Sequence, residues 1–192
     1  MAYAIYTTRA LVCGSFDRNA ADRSYRLFTE RAGMLYASAR SVRAERSRQR
    51  YALQDFSLVR VSLVKGKQGW RIGSVEPLHN YYHLAVDKSA RGSVVRLLRL
   101  LRRFLRGEAP EPELFSYVVH ALPRLSGTLP DRATEELVTL VHCLQLLGYV
   151  DADAVPAVAR TGHLTETVST LTPTDQARLR KLYETAVTAS QL

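Results

Sequence analysis

The sequence is poor in cysteine and has no long apolar run, and both absences restrict the class of protein. Its two cysteines, Cys13 and Cys143, lie far apart and outside any CxxC pair, so we expect neither a disulfide framework nor a cysteine zinc site. No uncharged apolar run approaches the roughly 18 residues that a membrane span needs. The N-terminus has no basic residues ahead of its apolar residues, and Arg9 interrupts the apolar segment. This pattern does not match a signal peptide. These absences predict a soluble protein in a reducing, cytoplasmic compartment.

Residues that commonly carry out catalysis or hold metals do not form a recognisable group. His79 and His83 are four residues apart, but their segment does not look helical and no third ligand type is near, so a metal site is not favoured. His142 and Cys143 fall in a strongly apolar segment, where core packing is the simpler interpretation. Gly66 and Gly69 match neither the P-loop nor the dinucleotide-binding fingerprint. We therefore expect no metal, no cofactor and no enzymatic site.

Positive charge is concentrated in the first 110 residues. They contain 21 Lys and Arg residues against 8 Asp and Glu, whereas the rest of the chain contains 6 against 10. The net charge of +9 therefore belongs wholly to the first part of the chain. Such an asymmetry is typical of a protein whose partner is a nucleic acid, an anionic membrane or an acidic protein.

The densest cationic run lies within residues 34–65, between two segments that are typical of β-strands. Five arginines fall within eleven residues there and are opposed only by Glu45: Arg40, Arg43, Arg46, Arg48 and Arg50. Strands on either side would fix the spacing of the guanidinium groups while leaving the charges in water, which suits a polyanion. A solvated loop whose arginines serve only solubility is the alternative interpretation.

Two lysines and three aromatic residues accompany this run. They are Lys65, Lys67, Tyr36, Tyr51 and Trp70. Aromatic faces beside cations are what a groove for single-stranded nucleic acid needs. We therefore predict that these residues and the five arginines bind DNA, with the aromatics as the weaker candidates because each is equally suited to the core of a barrel.

The first 80 residues predict a small antiparallel barrel. Short segments rich in β-branched and aromatic residues occur at 3–13, 24–30, 34–42, 53–64 and 70–78, without helical periodicity between them. Residues 14–22 are predicted to be a polar loop. Five such strands are typical of an OB-fold barrel, but an SH3-like barrel has a similar number, and counting strands does not separate the two.

After residue 87 the apolar periodicity becomes helical. Helices are predicted at 89–106, 112–125, 130–147, 152–160 and 173–189. Thr172 is the expected N-cap of the last helix, with Asp175 three residues on, close to a capping box. The predicted fold class is therefore α+β, with an N-terminal barrel domain at 1–80 and an all-α domain at 81–192.

Helix 89–106 carries a second cationic feature. Its arginines fall opposite its apolar stripe, within an arc of roughly 120°: Arg96, Arg99, Arg102, Arg103 and Arg106. A solvated outer face is the simplest alternative, but like charges at this spacing repel each other and a structural helix would normally include glutamates. We predict a binding face for an acidic partner, and we rank a membrane surface lower because the apolar stripe is needed for a core.

Several segments, in order, resemble the RecO family of recombination mediators. They are LFTERAG at 27–33, ARSVRAERSRQRYALQDFS at 39–57, SLVKGK at 62–67, EPELFSYVVHAL at 111–122 and LLGY at 146–149. The resemblance implies an OB-fold domain followed by a helical domain. It also implies a non-enzymatic, cytoplasmic and nucleoid-associated protein that binds single- and double-stranded DNA, anneals complementary strands and assists RecA loading in DNA repair.

The resemblance further implies two protein partners, RecR and the acidic C-terminal tail of the single-strand-binding protein. We assign the tail to the arginine face of helix 89–106, with Leu100 and Phe115 at the edge of the helix packing as an apolar notch. The chain departs from the family pattern after residue 149, where many members carry a four-cysteine zinc element that is missing here. We interpret the sequence as a short form of the family.

The main alternative is an adaptor of a different class. In that interpretation the basic surface binds an acidic protein and never nucleic acid. Retention on single-stranded DNA that depends on salt would separate the two.

Overall fold

The computed structural model describes residues 5–44, 46–160 and 168–190. The strands are β1 (Ile5–Asp17), β2 (Arg23–Thr29), β3 (Gly33–Ala39), β4 (Ser57–Gly66) and β5 (Gly69–Asn80). The helices are α1 (Arg48–Ala52), α2 (Tyr81–Leu84), α3 (Lys88–Phe104), α4 (Pro112–Ser126), α5 (Arg132–Leu146) and α6 (Pro173–Ala189). Short 3-10 turns occur at Ala152–Ala154 and Ala157–Ala159.

The five strands close into a barrel in the order β1-β2-β3-β5-β4. β1 closes the barrel by pairing antiparallel with β4, and β3 pairs parallel with the start of β5 through Ala37 opposite Trp70 and Ser38 opposite Arg71. This arrangement is the OB fold. It confirms the α+β prediction and decides between the two barrels that strand counting had left open.

The strand boundaries differ from the predicted ones where the barrel is irregular. The predicted loop at 14–22 is wrong in its first part, because an irregularity between Val12 and Gly14 shifts the register and β1 then pairs with β2 as far as Asp17. β3 ends at Ala39, and the chain turns at Ser41, whose φ is 51°. The predicted strand 53–64 begins only at Ser57, since α1 and a turn precede it.

The helices follow the predicted pattern more closely, except near residue 155. Residues 152–160 form two 3-10 turns and not a helix. The capping box expected at the start of the last helix is present: the side chains and backbone N–H groups of Thr172 and Asp175 bond reciprocally. In the part of the chain that the structure describes, no helix is both long and apolar enough to cross a membrane.

One face of the barrel packs against the helices. Leu11 and Phe28 point outward from β1 and β2 into the same apolar cluster as the buried residues of α3 and α4. The rings of Phe28 and Phe115 meet edge to face with centroids 5.2 Å apart. Since barrel and helices share this core, the proposed division into domains near residue 80 stays a prediction.

The loop between α3 and α4 covers the seam where β3 begins. The N–H of Met34 donates to the carbonyl of Gly107 at 2.9 Å. Gly33 has a φ of +56°, and a Cβ there would overlap the carbonyl oxygen of Ala109, so glycine is required by both conformation and space. This contact brings an acidic residue of the same loop, Glu108, next to the barrel.

Candidate nucleic-acid interface

The arginine run lies at one end of the barrel. Since β1 ends, β2 begins, β3 ends and β4 begins at this end, the β1–β2 turn at 18–22 lies beside the connection at 40–56. We call these two segments together the arginine end. The exposed predicted residues that it carries are Arg40, Arg43, Arg46, Arg48 and Arg50.

Hydrogen bonds hold the two segments of the arginine end together. The N–H of Ser41 donates to Oδ1 of Asp22 at 2.9 Å, and the N–H of Arg43 donates to the carbonyl of Ala21 at 3.2 Å. The bond from Ser41, followed by one from Asn19, holds the pKa of Asp22 below its ordinary value. The turn that carries the first arginines is therefore anchored to the barrel.

Most of these arginines have no acidic partner among the described residues. Asp17 takes the nearby pairs, since its carboxylate lies 2.8 Å from Nε of Arg23 and 3.5 Å from Nη1 of Arg43. The remaining four, Arg40, Arg46, Arg48 and Arg50, form no ion pair with a described acidic residue. They present charge to solvent on a connection fixed at both ends.

An exposed aromatic pair adjoins the arginine end on the outer face of β1, β2 and β3. Phe16 and Tyr36 are each about half exposed, and their rings meet edge to face at 6.0 Å. The guanidinium of Arg26, the residue opposite Tyr36 in the β2–β3 ladder, lies over the Tyr36 ring at 5.4 Å. Tyr36 is thus an exposed face with a cation beside it, which is how single-stranded nucleic-acid platforms are built.

Sequence reasoning missed Phe16 and Arg26 as site residues. Phe16 was predicted to lie in a loop, because the alternation of β1 changes phase at the irregularity near Cys13. Arg26 was placed on its strand but not in the site. Its alternation with the barrel residues Tyr25 and Leu27 already indicated an outward position, and this was the available signal.

Arg102 of α3 joins this barrel face. Its side chain lies beside Gly14 of β1, within van der Waals distance of where a Cβ would be. Burial raises the pKa of the Cys13 thiol to about 12, opposed in part by the positive charges of Arg102 and Arg26. Both cations therefore lie near the same point of β1, so Arg102 is closer to the predicted DNA set than to a separate helix face.

The predicted residues of the β4–β5 hairpin lie at the opposite end of the barrel. Lys65 pairs with Glu108 at 3.1 Å, and Nε1–H of Trp70 donates to the same carboxylate at 3.0 Å. Trp70 is only 9% exposed and belongs to the barrel core, while Lys67 is exposed. We call this the hairpin end. By strand direction the predicted DNA residues thus lie towards two ends of the barrel, and the two groups are linked where Ala37 pairs with Trp70 and where Gln49 of α1 donates to the Gly73 carbonyl of β5.

A cleft lies at the arginine end, beneath the exposed side chain of Tyr51. Its volume is about 420 Å³, within the range of sites for small ligands, about 300–1,000 Å³. We call it the mouth cleft; it is lined by Ser15, Arg23, Arg50, Tyr51, Leu53, Gln54 and Asp55. Tyr51, at 69% exposure, is available for stacking.

The five arginines predicted for helix 89–106 do not form one open face, and Arg106 lies just beyond the end of α3. Nη2 of Arg96 lies 2.6 Å from Oε2 of Glu136, and this pairing raises the Arg96 pKa. Arg103 donates from Nε to Ser190 Oγ at 2.7 Å and from Nη2 to the carbonyl of Val187, at the end of α6. With Arg102 on β1 and Arg96 paired though exposed, Arg99 and Arg106 are the two of the set that are exposed and form no ion pair or hydrogen bond with a described residue.

The apolar notch expected beside this face is wrong. Leu100 and Phe115 are 4% and 0% exposed and belong to the shared core, because α3 packs on α4 more closely than the predicted edge position allowed. In the described ranges, no three His, Cys, Asp or Glu residues are grouped to hold a metal ion. His83 instead contacts Gln54 at 3.0 Å.

The architecture defines an OB-barrel protein with a helical domain packed on one face of its barrel. Residues 1–81 match the family described as "Recombination protein O N terminal", and residues 89–150 match "Recombination protein O C terminal". The chain belongs to the RecO family. This confirms the resemblance read from the sequence.

Curated relatives carry the same family name. The "DNA repair protein RecO" of Desulfitobacterium hafniense is 30% identical over 146 residues, covering 76% of this chain and 52% of that protein. The protein of that name from Myxococcus xanthus is 31% identical over 123 residues, covering 64% and 50%. The chain thus spans about half the length of the curated relatives it matches.

Proposed function

We propose that this chain binds DNA as a non-enzymatic RecO-type mediator of recombination and repair. The observation that carries the proposal is the arginine end. Four arginines without a described acidic partner lie beside two exposed aromatic rings and the cations Arg26 and Arg102. Cations on a fixed connection suit phosphates, and the rings suit unstacked bases.

The same arrangement supports strand annealing. Two complementary strands repel each other through their phosphates, and the arginines of the arginine end lower that repulsion by replacing condensed counterions. Phosphate contacts carry no sequence information, so either strand of a pair can be held. Assistance to RecA loading on strands covered by the single-strand-binding protein is the finer role that we propose.

For the protein partners, the exposed arginines on α3 and just after its end form the relevant surface. Arg99 and Arg106 are exposed cations and remain our candidates for the acidic tail of the single-strand-binding protein, without the notch of Leu100 and Phe115. A planar guanidinium suits a terminal carboxylate because it donates two parallel hydrogen bonds. RecR is proposed as a second partner on family grounds alone.

A salt titration of binding to a labelled single-stranded oligonucleotide tests the proposal. If the four arginines without described partners each contact a phosphate, log K falls against log salt with a slope of about −2.8, at about 0.7 per contact. Absence of binding at low salt, together with binding of an acidic protein, would favour the adaptor alternative and overturn the proposal.

A further inference from the structure

The mouth cleft contains a carboxylate among cations. Arg23 and Arg50 line the cleft together with Asp55. The charge of Asp55 reaches Arg23 and adds to the raised pKa that Arg23 owes chiefly to Asp17. No described cation lies within ion-pair distance of Asp55 itself. An acid that serves only to neutralise arginines would be expected in direct contact with one of them.

One oxygen of that carboxylate is buried and unsatisfied. Oδ1 of Asp55 is shielded from solvent and accepts no hydrogen bond from the described residues. The backbone around it is fixed, since Nδ2 of Asn80 donates to the Asp55 carbonyl at 3.2 Å and the N–H of Phe56 donates to the Val12 carbonyl at 2.9 Å. A buried carboxylate oxygen without a donor is costly, and the partly buried Asp55 carboxylate that lines the cleft has acceptor capacity left for a donor on a ligand.

The surroundings restrict what that donor can be. A metal ion or an amine would carry positive charge into a cleft lined by two arginines. A neutral N–H donor that is linked to anionic groups avoids this repulsion and gives the arginines a partner. A nucleobase with an exocyclic amino group, joined to backbone phosphates, has both properties, and carboxylates accept hydrogen bonds from such groups.

We propose that the mouth cleft receives one unpaired nucleobase, whose exocyclic amino group donates to Asp55 while its ring stacks on Tyr51. This inference rests on the proposed function, because the base arrives as part of a single strand held by the arginine end. It adds base preference to a surface whose phosphate contacts have none. Cytosine, which has the amino group, is preferred over thymine, which has a carbonyl in its place.

Affinities for two short single-stranded homopolymers, one of deoxycytidine and one of thymidine, test the inference. Equal lengths and salt make the phosphate contacts equal, so only the base differs. A hydrogen bond to a charged group is expected to give deoxycytidine about a tenfold lower Kd. Asp55→Asn, whose neutral amide can accept from cytosine or donate to the thymine carbonyl, is expected to remove the preference.

Asp17→Asn is the matched control, because it removes one negative charge beside Arg23 without changing the lining of the mouth cleft. It is expected to keep the preference for deoxycytidine. A second variant, Tyr51→Leu at an exposed position, is expected to weaken both oligomers by about fivefold through lost stacking, and it keeps the inference testable should Asp55→Asn fail to fold.

The outcomes separate this inference from the proposed function. Equal affinity of the parent protein for the two oligomers, or a preference that Asp55→Asn retains, overturns the assignment of a nucleobase to the mouth cleft. Either result leaves the proposed DNA binding in place. Binding of neither oligomer overturns both.

Discussion

The two ends of the barrel have similar residues and opposite arrangements. Each end combines cations with an aromatic side chain, Arg48 and Arg50 with Tyr51 at the arginine end and Lys65 with Trp70 at the hairpin end. At the hairpin end a single carboxylate, Glu108, takes both the ammonium of Lys65 and the indole N–H. At the arginine end no described acid pairs with Arg48 or Arg50. An acid distant in sequence thus decides which cations remain free.

The position of Glu108 depends on the α3–α4 loop. Burial works to raise its pKa, but the hydrogen bonds from Trp70 and Lys65 and the lysine charge lower it below the ordinary value. The carboxylate is therefore held ionised where it pairs with Lys65. Breaking the contact between the α3–α4 loop and β3 should therefore disturb the pairing of Glu108 at the hairpin end and leave the arginine end intact.

The largest expected effect is that of Gly33→Ala on stability. The new Cβ would meet the α3–α4 loop at a φ of +56°, so we expect a loss of about 3 kcal/mol from strain and overlap combined. Gly148→Ala is the control, since its φ is +76° but its Cβ would enter open space, and we expect about 1 kcal/mol. Equal losses in chemical denaturation would show that the loop does not pack tightly on β3.

The second effect concerns DNA affinity. Arg48→Glu with Arg50→Glu is expected to raise Kd about tenfold or more and to reduce the salt slope by about 1.4, since two phosphate contacts are lost. Lys65→Glu with Lys67→Glu makes the same charge change at the hairpin end and is expected to keep the slope. An equal loss of slope in both double variants, measured by fluorescence anisotropy, would mean that the DNA covers both ends.

A smaller effect is expected for the exposed ring beside the arginine end. Tyr36→Leu should cost about 1 kcal/mol of single-strand affinity, or about fivefold in Kd, through lost stacking. Tyr149→Leu is the control, because Tyr149 is similarly exposed, at 49% against 52%, but packs on Phe104 of α3. Unchanged affinity of Tyr36→Leu would remove the β1–β2–β3 face from the DNA path.

The smallest expected effects distinguish two neighbouring arginines of α3, one by DNA affinity and the other by stability. Arg102→Ala should weaken DNA binding about twofold while sparing stability, since one peripheral phosphate contact is lost. Arg103→Ala should spare DNA binding and lower stability by about 1 kcal/mol, because Arg103 holds the end of α6. The reverse pattern in binding and denaturation measurements would place the DNA path on the helical side.

Much of the fold is predictable from local patterns. The period-2 and helical segments gave the five strands and the long helices, and Thr172 and Asp175 gave the last N-cap. The predictions that failed depend on pairing between residues far apart in the sequence. The continuation of β1 to Asp17 depends on pairing with β2 after a register shift, and the parallel contact of β3 with β5 joins residues that no local period connects.

The candidate site was predictable in its composition but not in its geometry. The arginines at 40–50 were evident as a run, whereas the separation of Trp70 and Lys65 from them follows from strand direction and from Glu108. The α3 arginines looked alike on a helical projection. Their partners on α5, α6 and β1 come from tertiary packing, which the spacing of one helix does not encode.

The most direct measurement of the central claim uses the single tryptophan of the chain, Trp70. Its emission reports on the hairpin end, and Tyr51→Trp in a Trp70→Phe background reports on the arginine end. On titration with single-stranded DNA, we predict saturable quenching of the Tyr51→Trp protein and unchanged emission of the parent protein. Quenching of Trp70 emission in the parent protein, together with unchanged emission of the Tyr51→Trp protein, would contradict the assignment of DNA to the arginine end.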